Sequence, residues 1–399
     1  RRARPAASGM SQRRALHRFY FFGLIGLVHA YVWLRLVPDL GAVPGLAPAL
    51  AVVLAASAVL IPTSMLARRR SAGRLLLGAI WLGLLCMGLF SSLFVLTLLR
   101  DLVLAGASAL AWFGTGGGHA VLAGPSALFV VAASLLMSVA GFVGARRVAR
   151  VVRVDIPLRG LPAGLDGFTI AQISDIHVGS TIRAPYVRRI VDAVNRLRPD
   201  MVAITGDLVD GSVADLAPHA RPLAELASRH GTFFVTGNHE YYSGAHAWVE
   251  ALRGMGMRVL MNEHAVLRHA GQELVVAGIT DYSAHQFDPA HRSDPQRAID
   301  GAPAGAGARV VLAHQPRSAA ATAAAGFDLQ LSGHTHGGQF LPWNFFVRLQ
   351  QPFVTGLHRQ DGMWVYVNRG TGYWGPPMRF GVPSEITLLR LVRAPDGEA

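Results

Sequence analysis

The sequence has no lysine, a single cysteine and, in its first 150 residues, only two acids. All 37 basic side chains are therefore arginine. With Cys86 alone, inside an apolar run, neither a disulfide within the chain nor a cysteine-based metal site can form, which fits a reducing compartment. The two acids, Asp39 and Asp101, face 15 arginines over residues 1–150, whereas residues 151–399 carry 22 arginines and 22 acids, so the formal charge of +13 belongs wholly to the first part. A basic excess spread along the chain would point to nucleic acid. Confined to one hydrophobic region, it points to membrane flanks, and nucleic acid is not an expected partner.

Four apolar segments fill that region, at about 19–38, 47–66, 75–99 and 125–145. Each approaches the ~20 residues that span a bilayer as a helix. A signal peptide would account for the first but not for the others. Arginine clusters before the first segment, between the second and third, and after the fourth (Arg146, Arg147, Arg150, Arg153). The other two connections hold none and one (Arg100). This alternation predicts four spans with both chain ends on the cytoplasmic side. Residues 102–113 are apolar but too short to span alone, and are read as an extension of the third helix or a surface segment; a fifth span would reverse everything downstream. His29, within the first span, is read as a packing residue or an intramembrane functional group.

From about residue 154 the pattern changes to short apolar runs alternating with helical stretches, the mark of an α/β domain. The runs are 168–174, 201–205, 233–236, 274–279, 309–313 and 327–331; helices are expected at 184–197, 216–229 and 245–254, and a surface loop or lid at 284–307. The predicted organisation is a basic tail (1–18), a transmembrane region (19–145), a linker (146–164), a catalytic domain (165–391) and a short tail (392–399).

Polar groups directly follow these runs: Asp175-Ile-His177, Gly206-Asp207, Gly237-Asn238-His239-Glu240, His314 and Gly333-His334-Thr335-His336. Open α/β sheets bind ligands at the carboxyl ends of their strands. In an extended segment, side chains at i and i+2 share a face, so Asp175 with His177, and His334 with His336, could converge. Two carboxylates, an amide oxygen and four imidazoles suit two borderline transition-metal ions.

The ordered series DIH, GD, GNHE, H and GHTH, with the downstream VNRGTGYWGPPMRFGVPSEITLL, resembles the calcineurin-like metallophosphoesterases over about 165–391. Within them it resembles a bacterial membrane-associated branch similar to UDP-2,3-diacylglucosamine pyrophosphatases. The resemblance implies a four-layer αββα sandwich behind an all-α membrane region, in a bacterial inner membrane. It implies two divalent ions of the Mn, Fe or Zn kind, one held by Asp175, His177 and His336, the other by Asn238, His314 and His334, with Asp207 bridging. A water activated between them would attack a phosphoester or pyrophosphate, lipid-linked substrates being favoured by the membrane region. His239 resembles the family's site histidine, which contacts phosphate and protonates the leaving group, with a purely orienting role as the alternative. Arg379 and Asn368 are candidate substrate contacts. Glu240 is expected to support its turn, Asp210 to serve a turn or orient a ligand, and Asp281, at the end of a strand, to lie at the surface or approach the site behind a ligand. The remaining histidines lack motif context. The rival readings are a membrane sensor using the domain for binding, a cyclic-nucleotide phosphodiesterase and a nuclease. The absence of a tyrosine or of GDxVDRG in GDLVDG argues against the coloured acid phosphatases and the protein phosphatases.

Overall fold

The computed structural model describes residues 7–67, 73–112 and 118–395, and the side chains of 20–67, 73–112 and 120–395. Arg1, Arg2, Arg4, Arg68, Arg69 and Arg70, on which part of the orientation argument rests, lie outside the described residues. The chain divides into two compact units, one of residues 1–68 with 72–140 and one of residues 141–399 with 69–71.

The first unit is helical: α1 Ala7–Leu36, α2 Leu46–Ala67, α3 Arg74–Leu110 and most of α4 Gly118–Arg146. Each contains a stretch long and apolar enough to cross a membrane. The segment after residue 100 continues α3 as far as Leu110. Val32, Leu36, Leu54, Leu93 and Val130 pack inside, while Leu27, Val52, Leu102 and Leu136 remain outward. Helices apolar on every side belong in a core or a bilayer. Here the outward residues are too many for a soluble surface. Both acids are paired: Asp101 accepts from Tyr31 and Arg35 at 2.7 and 2.9 Å, and buried Arg100 pairs with Asp39. His29 is a packing residue, bonded to Ile25 O and Ser57 Oγ at 2.7 Å each and stacked on Phe90 at 3.6 Å.

The second unit holds two six-stranded sheets. The first runs β1-β12-β2-β3-β4-β5, with β1 Arg150–Leu158, β2 Thr169–Ile173, β3 Met201–Ile204, β4 Thr232–Phe234, β5 Arg258–Val259 and β12 Glu385–Arg393. The second runs β10-β11-β9-β8-β7-β6, with β6 Glu263–His269, β7 Gln272–Gly278, β8 Ala308–Leu312, β9 Leu329–Ser332, β10 Gly356–Gln360 and β11 Met363–Val367. The strand residues alternate between two cores. Ile170, Met201, Ala203 and Phe233 meet Leu274, Val310, Leu312 and Leu331 between the sheets. Ala171, Ile173, Val202, Ile204 and Phe234 face helices α5 Ala184–Leu197 and α8 Ala245–Gly254 on the outside. Ala277, Val311 and Val365 of the second sheet meet Ala298 of α9 (Pro295–Ile299) and Ala319 of α10 (Ala319–Ala324). The layers are therefore helix, sheet, sheet, helix. Burial on both faces is why these strands read as continuous apolar runs.

Three local expectations change. Residues 150–158, expected in a linker, form β1, which pairs in parallel with β12 and joins the first sheet at its edge. The helix expected at 216–229 is α6, Val213–Ala220, capped by Ser212; it gives way to a 3-10 turn at Arg221–Glu225 that carries Pro222 near its start. Proline lacks the N–H that would continue an α-helix. Residues 284–307 are not a plain surface loop: α9 lies within them and buries Ala298.

Candidate metal centre

The polar groups expected at the strand ends meet at the carboxyl ends of β2, β3, β4, β8 and β9. Asp175, His177 and His336 form one donor triad; Asp207, His314 and His334 form another. In the first, His177 Nε2 is 3.0 Å from His336 Nε2, and His336 Nε2 is 3.5 Å from Asp175 Oδ1. In the second, His314 Nε2 lies 3.2 Å from both Asp207 Oδ2 and His334 Nδ1. Asp207 Oδ2 is also 3.9 Å from His177 Nε2, which places it between the triads. Asn238 is buried and its Oδ1 has no hydrogen-bond partner. A buried carbonyl oxygen left unbonded costs about 1–3 kcal/mol, so a second role for it is expected.

The donor set fits divalent cations. His314 Nδ1 donates to Thr205 O at 2.7 Å, which leaves Nε2 to face the site. Burial first, then His314, hold His334 down at about 3, and burial with Arg379 holds His336 below its usual range. Both imidazoles are neutral at physiological pH, the state that ligates metal. His314 moves the other way: burial opposes its charge, but Asp207 outweighs burial and raises it.

Backbone strain builds the site. Asp175, His177, Asp207, His334 and His336 all have φ between +50° and +70°. Non-glycine residues rarely adopt that region, and such strain collects at functional sites. The convergence of Asp175 with His177 therefore comes from left-handed turns rather than from an extended i, i+2 pair. His334 and His336 face different triads. The glycines serve close approach: a Cβ on Gly333 would overlap Ser174 and Asp175, and one on Gly237 would overlap Asp207. His334 N donates to both Asp175 oxygens at 3.0 Å, tying the two motifs together.

Glu240 accepts from the backbone N–H groups of Asp207, Leu208, Val209 and Gly237 at 2.7–3.2 Å. It fixes the turn that presents Asp207. Asp210 Oδ1 accepts from His177 Nδ1 at 3.0 Å and from His239 Nδ1 at 2.6 Å, so one carboxylate aims two imidazoles. His239 Nε2 is then 4.0 Å from Asp207 Oδ2. Burial lowers the His239 imidazole, but Asp207 and the Asp210 hydrogen bond prevail and lift it to about 9. Tyr242 and Trp374 flank its ring at 5.1 and 5.9 Å.

Arg379 and Asn368 are placed differently from the sequence expectation. Arg379 is buried, and its N–H groups reach the carbonyl oxygens of Gly372, His336, Arg369 and Gly370 and, from Nη2 at 2.9 Å, the Nδ1 of His336. No donor is left for a substrate phosphate. Buried Asn368 donates to Thr387 Oγ1 and accepts from Gly370 N. Both fix the segment behind His336. Arg379→Met should cost on the order of 3 kcal/mol through orphaned carbonyls, read as a lowered Tm. An unchanged Tm with a raised KM would restore a substrate role. Asp281 is buried rather than superficial and accepts from Gln315 Nε2 at 3.0 Å, beside His314.

Sequence reading did not find the Asp210 double contact, the Tyr242 and Trp374 rim or the meeting of His246, Asp288 and His291. A motif marks Asp210 only as part of GDLVDG. The others lie far apart in sequence or carry no spacing signal.

Residues 168–338 match the calcineurin-like phosphoesterase family. A metallophosphoesterase of Aquifex aeolicus is 33% identical over 244 residues, 61% of this chain and 91% of its own length. One of Campylobacter jejuni is 35% identical over 266 residues, 66% of this chain and 69% of its own. The chain belongs to the calcineurin-like metallophosphoesterases. A Danio rerio "transmembrane protein with metallophosphoesterase domain" is 41% identical over 267 residues, 65% of this chain. The chain spans 61% of that relative's length. The homology and the four apolar helices together make this metallophosphoesterase a membrane protein.

Proposed function

We propose that this metallophosphoesterase is a membrane-anchored hydrolase of phosphoester or pyrophosphate bonds, acting with two divalent ions on lipid-linked substrates. The observation that carries the reading is Asp207 Oδ2, 3.2 Å from His314 of one triad and 3.9 Å from His177 of the other. One carboxylate shared by two donor sets is what a bridged pair of cations needs. Asp175, His177 and His336 would hold one ion, and Asn238, His314 and His334 the other. Such ions supply an activated water and withdraw charge from the phosphoryl oxygens. The chain's own residues do the rest. Glu240 and the glycine turns hold the donors in place before binding. Asp210 keeps the Nε2 atoms of His177 and His239 turned inward. His239, which Asp207 and the Asp210 hydrogen bond lift to about 9, can give its proton to the departing oxygen; cations at Asp207 would work against that charge, and the Asp210 hydrogen bond would support it.

Six of the seven donors fall into two triads, and the seventh, Asn238, has a buried Oδ1 with no hydrogen-bond partner, which favours an enzyme over a binding module. The balanced charge of residues 151–399 favours small or lipidic substrates over nucleic acid. The full chain, purified in detergent and loaded with Mn²⁺, should bind two ions per chain and hydrolyse nitrophenyl phosphoesters or lipid pyrophosphates. One ion per chain would reject the bridged pair, and metal binding without turnover on any of these would favour the binding module.

The arginine alternation supports a cytoplasmic placement of the phosphoesterase domain. A fluorescent-protein fusion after Ala399 should be bright and an alkaline-phosphatase fusion inactive. The reverse pattern would place the domain on the other face.

A further inference from the structure

We infer that the segment following the GHTHGG turn is a second membrane contact, in which residues 343–349 dock into the interface of a phospholipid bilayer. One residue after the GHTHGG turn the chain reads FLPWNFFVRLQ. Helix α11, Trp343–Phe346, and the 3-10 turn Val347–Leu349 present Phe345, Phe346 and Leu349 with 64, 54 and 82% of their surface exposed. A contiguous aromatic patch of this kind on a folded domain marks an interaction site. Aromatic side chains favour the headgroup level of a bilayer.

Two observations select a bilayer as the occupant. The first is continuity with the membrane-spanning chain. Residues 141–146, the last turns of the span Ala120–Arg146, belong to the phosphoesterase unit. Gly141 O accepts from Arg379 N at 2.8 Å, and Gly141 packs against Met378 and Phe380. Phe380 in turn bridges to Phe340, and its carbonyl accepts from Leu341 N at 3.2 Å. The strip that leads into α11 is thus tied, two contacts away, to the end of a spanning helix. The second is charge. Beside α11 a cavity of about 660 Å³ is lined by Phe345, Arg348, Phe353, Val354 and Arg369. Arg369 Nε donates to Thr355 Oγ1 at 2.9 Å and pairs with Glu385 Oε2 at 3.5 Å. Apolar walls with the Arg348 guanidinium, and Arg369 held by Glu385 behind it, suit a layer of acyl chains beneath phosphates. The same cavity reaches Gly337, next to His336, so docking would bring the headgroup layer beside the metal ligands. This contact does not depend on the reaction proposed above.

The test uses the full chain in proteoliposomes of phosphatidylglycerol and phosphatidylethanolamine. In a Cys86→Ser background, Phe346→Cys, Leu349→Cys and, as a control on the opposite edge of the second sheet, Val266→Cys each carry a fluorophore. Nitroxides on the lipid acyl chains should quench the labels at 346 and 349 strongly and leave 266 unaffected. Aqueous quencher should show the reverse order. Labels at 346 and 349 that stay open to aqueous quencher, or that are shielded equally in detergent without lipid nitroxide quenching, would overturn the inference, the latter by showing a protein cover. Phe345→Glu with Phe346→Glu should abolish the lipid quenching at 349. It should also lower turnover of a bilayer-embedded phosphoester about tenfold, with nitrophenyl phosphoester turnover and metal content unchanged. Failure of the proposed hydrolysis would leave the quenching result standing.

Discussion

Asp207→Asn should leave a folded protein with at least about a thousandfold less activity, equivalent to ~4 kcal/mol of transition-state stabilisation. Metal content should fall as well. The carboxylate lies between the triads, and its oxygens have separate tasks: Oδ1 accepts from His239 N at 2.8 Å, while Oδ2 faces His314. An amide preserves the shape but offers one neutral oxygen, so two cations held close would repel each other with less compensation. The loss should be visible by elemental analysis before any assay. Burial is otherwise satisfied, with Asp207 N held by Glu240 at 3.0 Å, so circular dichroism should match the wild type. Two tightly held ions per chain in the variant would remove Asp207 from the bridging position.

His239→Ala should slow alkyl phosphoesters on the order of a hundredfold and nitrophenyl phosphoesters only about tenfold, both metals remaining bound. A positioned acid contributes roughly 10²–10⁴-fold where the leaving group needs a proton. An alkoxide does, and a nitrophenolate needs little help. The geometry supports this role: His239 belongs to neither the His336 nor the His334 triad but groups with His177 and Asp210, and its Nε2 stands 4.0 Å from Asp207. Asp210→Asn should reproduce part of the effect, because it releases the His239 ring and weakens the hydrogen bond that keeps it charged. Equal losses across leaving groups of differing pKa would leave His239 as a phosphate-positioning group.

The two classes of information in this chain separate cleanly by residue. The spans were legible because a bilayer imposes length and apolarity on each segment independently, and no tertiary contact is needed to read them. Strands β2, β3, β4, β7, β8 and β9 were legible because burial on both faces makes their runs continuous. Strand β1 was not: its burial alternates weakly at the sheet edge, and it is recruited by β12 from the far end of the chain. Likewise α6 runs through Pro218 and ends at Ala220, just before the 3-10 turn that carries Pro222, a local signal that the apolar periodicity masked.

At the site, the sequence determined the inventory and the order of the donors, since each follows its strand directly. Which donors meet was decided by the fold. His334 and His336 stand two residues apart yet join different triads, because left-handed turns rotate them away from each other and β8 and β2 bring different partners to each. Arg379 looked like a phosphate ligand because an arginine in a site segment usually has free donors. Tertiary structure buries it among four carbonyls and the His336 ring, where its charge holds the backbone and one ligand imidazole. Composition and spacing fix what chemistry a chain can offer; burial and backbone conformation fix which of those groups reach one another.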